Sequence, residues 1–244
     1  MFTLLQLTDC HLSEDPAASY RGQSPQANLE RLLPACRALR PDGVVLTGDI
    51  ADDASPAAYR RVVERLTGLA PRIAWLPGNH DERGAMAEVF EPAGFNAGPL
   101  LEWGHWEIVL LDSAVPDRPE GYLDDHRLAP LEGLSGNRPA LVFVHHQPLP
   151  VNAPWIDKYA LRDPEGLWQR LDPNVVRAVG FGHVHQAFVG EKSGIACLSA
   201  PSTAVNSQSA TERFTDDPTG PKARWYRLRE NGQWLTGLVS VGMN

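Results

Sequence analysis

The chain has 244 residues, of which 43% are hydrophobic and 21% charged, and a formal net charge of −8 at pH 7. The length suits one large domain or two small ones, and the acidic balance argues against a nucleic-acid-binding surface or a long polyanionic substrate. No run of 18 apolar residues and no signal-peptide pattern is present, since Asp9 and His11 interrupt the first apolar segment, and three cysteines without Cys-x-x-Cys spacing suit a reducing compartment. A cytoplasmic protein with no membrane partner is expected.

Phe2-Thr3-Leu4-Leu5-Gln6-Leu7 is an apolar run ending at Thr8-Asp9, where Asp9-Cys10-His11 begins. Ser24 is placed to cap a helix, Pro25 suits its first turn, and Leu29, Leu32, Leu33, Cys36 and Leu39 recur at helical spacing. Val44-Val45-Leu46 is a β-branched run ending at Gly48-Asp49. Ser55-Pro56 repeats the helix start, with Tyr59, Val62, Val63 and Leu66 as its apolar face. Ile73 to Leu76 ends at Gly78-Asn79-His80-Asp81, Trp106 to Leu111 at Asp112, and Leu141 to Val144 at His145-His146. A long loop, Gln147 to Arg162, carries Pro148, Pro150 and Pro154. Val175 to Phe181 then ends at Gly182-His183-Val184-His185. A second long loop, 202–222, is rich in Ser, Thr, Asp and Pro, and loops of this length are often functional or mobile. Trp225 to Arg229 and Gln233 to Val239 read as a hairpin turning at Asn231-Gly232.

Strands alternating with helices imply a mostly parallel sheet with helices packed on it. Ligands of such sheets bind beyond the carboxyl ends of the strands, and every polar block named above stands at such an end. Residues far apart in sequence can therefore meet. Asp9, His11, Asp49, Asn79, His145, His183 and His185 form a hard-to-borderline ligand set suited to Mn, Fe, Zn or Co. They exceed what one ion needs, so two ions sharing a carboxylate is the natural reading. Each block alone is an ordinary surface turn; the force lies in five of them in order at successive strand ends. On an extended segment, His183 and His185 would share one face. At strand period Cys10 points away from Asp9 and His11, which makes it a packing residue. Because the ligands run from position 9 to 185, splitting the chain would split the site, and a single domain over 1–244 is expected. His105 and His126 follow no such strand end and read as surface or packing residues.

This ordered pattern resembles the calcineurin-like metallophosphoesterase superfamily, whose signature runs D-x-H, G-D, G-N-H-D/E, H and G-H-x-H. The resemblance spans residues 2 to about 200. Leu-Thr-Asp-Cys-His-Leu (7–12), Leu-Pro-Gly-Asn-His-Asp (76–81), Gly-His-Val-His-Gln (182–186) and Ala-Pro-Ser-Thr (200–203) are similar to its bacterial 3′,5′-cyclic-nucleotide (cyclic AMP) phosphodiesterase branch. So is the run from His145 to Pro150 followed by Trp155-Ile156-Asp157. The resemblance implies an α/β fold: a β-sandwich of mostly parallel strands flanked by helices, closed by the C-terminal antiparallel hairpin. It assigns Asp9, His11, Asp49 and His185 to one ion, and Asp49, Asn79, His145 and His183 to the other, with Asp49 as the bridge. The two divalent or trivalent ions would lower the pKa of bound water to make a hydroxide nucleophile near neutral pH. His80 would give a hydrogen bond or proton to the phosphate or leaving alkoxide, with Asp81 orienting its ring. Asn79, His80 and Trp155 would face the substrate, the Trp155 indole being suited to stacking on a base or sugar. Gln147, where some relatives carry His or Pro, stands beside a ligand and is expected to tune substrate preference. The partner is thus a small phosphodiester, and a homodimer is compatible with this reading. A phosphomonoesterase or glycerophosphodiesterase-type hydrolase is the alternative activity, and a non-catalytic binding scaffold the alternative of another class.

Overall fold

Leu4 of the first apolar strand packs in one apolar layer with Val45, Ala74 and Leu76, while Leu5 and Leu7 pack in another with Leu29, Leu32 and Tyr59. A strand buried on both faces has to lie inside a layered structure. The computed structural model describes residues 1–241, so 242–244 of the expected domain lie outside the described residues.

The strands fall into two facing sheets. The first is built from β1 (Phe2–Leu7), β2 (Gly43–Thr47), β3 (Ile73–Leu76), β12 (Lys222–Leu228) and β13 (Trp234–Ser240), in the order β13-β12-β1-β2-β3. The second contains β4 (Leu100–Trp103), β5 (Trp106–Leu111), β7 (Ala140–Val144), β9 (Val176–Phe181), β10 (Phe188–Lys192) and β11 (Ile195–Ser199), in the order β10-β11-β9-β7-β5-β4. In the second sheet the parallel pairs occupy the middle and antiparallel pairs the two edges; in the first, the parallel pairs β1-β2 and β2-β3 fill one side and the antiparallel pairs β1-β12 and β12-β13 the other. Phe2, Leu4, Trp106, Ile108, Phe143 and Tyr226 fill the space between the sheets. The outer face of the first sheet is covered by α1 (Pro25–Ala38), α2 (Pro56–Leu66) and α3 (Arg83–Phe90). The outer face of the second is covered by the short helices α4 (Asp125–Leu128), α5 (Pro154–Asp157) and α6 (Glu165–Trp168).

The helix starts read from the sequence hold: Ser24 Oγ accepts from the Ala27 N–H at 3.3 Å and Ser55 Oγ from the Ala58 N–H at 3.2 Å, each followed by Pro. The two sheets are the expected sandwich, and their strand ends form two facing rims. Two readings change. The segment 147–162 is not a bare loop, since it forms α5 and a two-residue strand, β8 (Leu161–Arg162), that pairs in parallel with β6 (Gly121–Tyr122). The C-terminal hairpin does not turn on Asn231-Gly232 as a two-residue loop. Arg229 N–H donates to Gln233 O at 2.9 Å and Gly232 N–H to Arg229 O at 3.1 Å, with only Gly232 (φ 79°) left-handed, the pattern of a longer turn with a glycine bulge. β12 inserts beside β1, so the hairpin is an integral part of the first sheet.

Candidate metal centre

The two rims meet where β1, β2, β3, β7 and β9 end. The first sheet presents Asp9, His11, Asp49 and Asn79, and the second His145, His183 and His185. Asp9 and His11 (φ 52° and 44°), Asp49 (52°), His183 (67°) and His185 (50°) all sit in left-handed backbone, which turns the chain sharply as it leaves each strand. His183 and His185 therefore do not share a face as an extended segment would require. They reach different clusters: His185 joins Asp9 and His11, while His183 joins His145 and His146. Asp9 N–H donates to Gly48 O at 2.9 Å and His11 N–H to Asp49 O at 3.0 Å, which locks the first two turns together.

Three imidazoles have their orientation set from behind. His145 Nδ1 donates to Thr47 O at 2.7 Å, His185 Nδ1 to Val205 O at 2.7 Å, and His11 Nδ1 to the Asp52 carboxylate at 3.1 Å. A carbonyl or carboxylate oxygen only accepts, so each Nδ1 carries a proton, and on a neutral ring Nε2 is left with the lone pair. At His145 burial disfavours the charged ring, yet Asp49 pushes its pKa up to about 9, so its Nε2 would give up a proton on binding a metal. The His11 and His185 Nε2 atoms then face each other at 3.1 Å. Two lone pairs at that separation repel unless a cation lies against both. Asp9 Oδ1 stands 3.3 Å from His185 Nε2, and Asp49 Oδ2 stands 3.8 Å from His11 Nε2 and 3.4 Å from His145 Nε2. Asn79 Oδ1 is 3.3 Å from His145 Nε2, and the His183 ring is 5.0 Å, centroid to centroid, from His145. His183 Nε2 is buried without a partner. The donor set thus fits metal ions: inward lone pairs, buried carboxylates and, among the described residues, no Lys or Arg within ion-pair distance of Asp9 or Asp49.

The electrostatics agree. Burial works to raise the Asp9 and Asp49 carboxyls, but the imidazoles around them win: His185 chiefly holds Asp9 below the ordinary range, and His145 chiefly holds Asp49 well below it. Burial keeps His11 below its usual value and brings His183 down to about 3, with His145 adding to the effect at His183. These two rings are neutral and able to ligate.

The structure separates the residues around the candidate ligands by task. Burial disfavours the charged form of His80, yet Asp52 and Asp49 push its pKa up to about 9. Its ring rests on Asp52, with Nδ1 at 3.2 Å from both Oδ1 and the backbone oxygen. Asp81 does not orient that ring. Its carboxylate is taken up by the N–H groups of Ile50, Ala51 and Gly78 and by Tyr59 O–H, at 2.9 to 3.1 Å, so it ties the second and third strand-end turns together. Asp52, which no sequence signal singled out, carries the task assigned to Asp81 and steadies His11 as well. Gln147 is fully buried and donates to Ile156 O at 3.0 Å, so it braces α5 rather than facing a substrate. Cys10 packs in the helix-side core with its thiol pushed up to about 12, chiefly by burial, as expected of a packing residue. His146 Nδ1 lies 2.8 Å from Ser113 Oγ, behind His145. Trp155 is partly buried, edge-on to Phe214 with centroids 5.4 Å apart. His105 is exposed beside Glu230, as a surface residue should be. A cavity of about 480 Å³ opens on Asn79 and His80, bounded by Arg83, Asp112 and Arg127. Asp112 pairs with Arg83 at 3.1 Å and lies 3.7 Å from Arg127. All three cysteines are free and buried, and among the described residues no helix is long and apolar enough to cross a membrane.

Comparison with known proteins places this geometry. A 3′,5′-cyclic adenosine monophosphate phosphodiesterase of Pseudomonas aeruginosa is 34% identical over 244 residues, covering 98% of this chain and 89% of that protein. A 3′,5′-cyclic-nucleotide phosphodiesterase of Nostoc sp. is 32% identical over 246 residues, covering 98% and 92%. Among solved structures, a dimetal phosphatase from Danio rerio superposes with a TM-score of 0.69 at 15% identity, covering 99% of each chain, a likeness of fold. The model of the calcineurin-like phosphoesterases matches residues 2–187, a stretch that begins with β1 and takes in every strand end just described, and the chain belongs to that family.

Proposed function

We propose that this chain is a dinuclear metal-dependent phosphodiesterase acting on 3′,5′-cyclic nucleotides, with residues 1–244 forming one catalytic domain. The observation that supports the reading is Asp49: a buried carboxylate whose Oδ2 is 3.8 Å from His11 Nε2 and 3.4 Å from His145 Nε2, within reach of both proposed ligand sets. Asp9, His11, Asp49 and His185 would hold one ion, and Asp49, Asn79, His145 and His183 the other. The ions, Mn, Fe, Zn or Co by the donor chemistry, would supply charge for the phosphoryl oxygens and an activated water when bound. The substrate class rests on the full-length likeness to two cyclic-nucleotide phosphodiesterases.

The chain's own residues do the rest. Asp52, Thr47 O and Val205 O hold the three imidazoles in one tautomer. His80 N–H donates to Asp49 Oδ1 at 2.9 Å, which fixes the bridging carboxylate against the turn that carries His80. With Nδ1 of His80 on Asp52, its Nε2–H is the donor left for the leaving ribose oxygen, on the side where the 480 Å³ cavity opens. The test is a panel of cyclic AMP, bis-p-nitrophenyl phosphate, p-nitrophenyl phosphate and glycerophosphodiesters, each with Mn²⁺, Fe²⁺, Zn²⁺ and Mg²⁺. Metal-dependent turnover of cyclic AMP with a higher kcat/KM than p-nitrophenyl phosphate is expected. A preference for the monoester, or turnover that persists in chelator, overturns the reading.

A further inference from the structure

Beside the metal centre stands a cation with no counter-charge. Arg21 makes no ion pair with any carboxylate among the described residues, in a chain with 30 acidic side chains. Its guanidinium lies instead over three rings: Phe214 at 4.1 Å, Tyr20 at 5.3 Å and Trp155 at 5.6 Å. The rings come from three separate segments: the loop after β1, helix α5 and the loop after β11. Tyr20 ties this cluster to the metals, for its ring stacks on His11 with centroids 3.9 Å apart and planes 8° from parallel. The other two arginines near the centre, Arg83 and Arg127, both face Asp112.

The backbone makes the choice of arginine informative. Tyr20 and Gln23 exchange hydrogen bonds at 2.9 and 3.0 Å, and the two residues between them, Arg21 (φ 49°) and Gly22 (φ 80°), are both left-handed. That is the pattern of a type I′ turn, whose first central position favours Asn, Asp or Gly. Arginine is a costly residue there. It stands exposed, without a carboxylate partner and aimed over aromatic rings beside the metal centre, and left-handed non-glycine residues cluster at ligand-binding sites. Guanidinium planes stack on nucleobases as they do on aromatic side chains.

We propose that Arg21 is a specificity-determining residue that reads the nucleobase of the substrate, with its plane held ready by Phe214, Tyr20 and Trp155. The inference rests on the cyclic-nucleotide reading above. Tyr20 is one ring removed from His11, and His11 one ring removed from His80, so the Arg21 cluster borders the rim from which the organic part of a nucleotide would extend with its phosphate at the metal centre. Trp155, expected from sequence to stack on the substrate, instead forms part of the cradle that holds Arg21.

The experiment is a substrate-by-variant comparison on metal-loaded protein. Cyclic AMP and its abasic analogue, the same cyclic phosphodiester with hydrogen at C1′, are each assayed with wild type, Arg21→Asn and Arg21→Lys. For Arg21→Asn we expect KM for cyclic AMP to rise about tenfold or more, while kcat/KM for the abasic analogue changes less than about threefold. We expect Arg21→Lys to resemble Arg21→Asn, because an ammonium offers no plane. Thermal stability separates this from a structural role: Asn suits the turn, so Arg21→Asn should melt at or above the wild-type temperature. Equal losses on both substrates, full rescue by Lys, or a lower melting temperature with unchanged KM each overturn the proposal. Wild type that cleaves no cyclic nucleotide removes the cyclic-nucleotide reading and this inference with it; wild type that cleaves cyclic AMP, with variants that match it, removes the inference alone.

Discussion

Asp52 is the residue whose importance is out of proportion to its visibility. One carboxylate accepts from His11 Nδ1 at 3.1 Å and lies 3.2 Å from His80 Nδ1, so a metal ligand and the proposed proton donor share one support. The two imidazoles in turn hold its pKa below the ordinary carboxylate range, chiefly through those hydrogen bonds. Asp52→Asn should therefore weaken metal binding about 10- to 100-fold, as loss of a ligand's outer partner does, and lower kcat as well. His80→Ala should keep both metals and lose kcat by about 10²- to 10⁴-fold on ribose leaving groups, with a smaller loss on p-nitrophenolate, which needs no proton. Metal titration by calorimetry beside steady-state kinetics on both ester types separates the two variants. If Asp52→Asn binds metal like wild type, His11 has another support. The seven candidate ligands and His80 were legible because each stands in a short block directly after an apolar strand. Asp52 was not, because its contacts lie 41 and 28 residues away in sequence and an Asp-Asp pair in a turn looks like solvated surface.

Strands and turns show the same division. β1, β2, β3, β5, β7 and β9 stand out in the sequence as apolar runs, since each is buried on both faces and needs few polar residues. β10 does not: Phe188-Val189-Gly190-Glu191-Lys192 lies at the edge of its sheet, alternates between partial and full exposure, and contains a glycine and two charges. The turns were legible as sites of glycine but not as left-handed turns at the ligands themselves, because that geometry depends on how two sheets approach. The cost of a left-handed non-glycine residue, about 1–2 kcal/mol each, is one that Asp and His bear more readily than most. The glycines have a different duty. A Cβ on Gly78 would lie 2.2 Å from Asp49 Oδ1 and 2.4 Å from Asp49 N. Gly78→Ala should thus displace the shared carboxylate and reduce bound metal at both positions, with circular dichroism little changed. Elemental analysis after reconstitution reads it; full occupancy would mean that the turn can yield without moving Asp49.

Each proposed ion would take ligands from both sheets, Asp9 and His11 with His185, and Asp49 and Asn79 with His145 and His183. The metals would then fasten the two halves of the sandwich at one rim. Binding to the folded state alone adds about 2.7 kcal/mol per ion at a hundredfold excess over Kd, and for a chain of this size each kcal/mol is worth roughly 2–4 °C. Chelation should therefore lower Tm by about 10 °C or more, and Asp49→Ala should abolish most of that difference, measured by scanning calorimetry with and without metal. A Tm indifferent to chelator would mean that the rim is rigid without ions. The same division of ligands bears on how the protein is born. Domains begin to fold N-terminal end first as they leave the ribosome, at about 5–20 residues per second. Asp9, His11, Asp49 and Asn79 emerge long before His185, and β1 keeps one edge bare until β12, at residues 222–228, arrives to pair with it. For most of its synthesis the nascent chain is thus half a chelator with an open strand edge, and no complete ion site can exist on it before both sheets do.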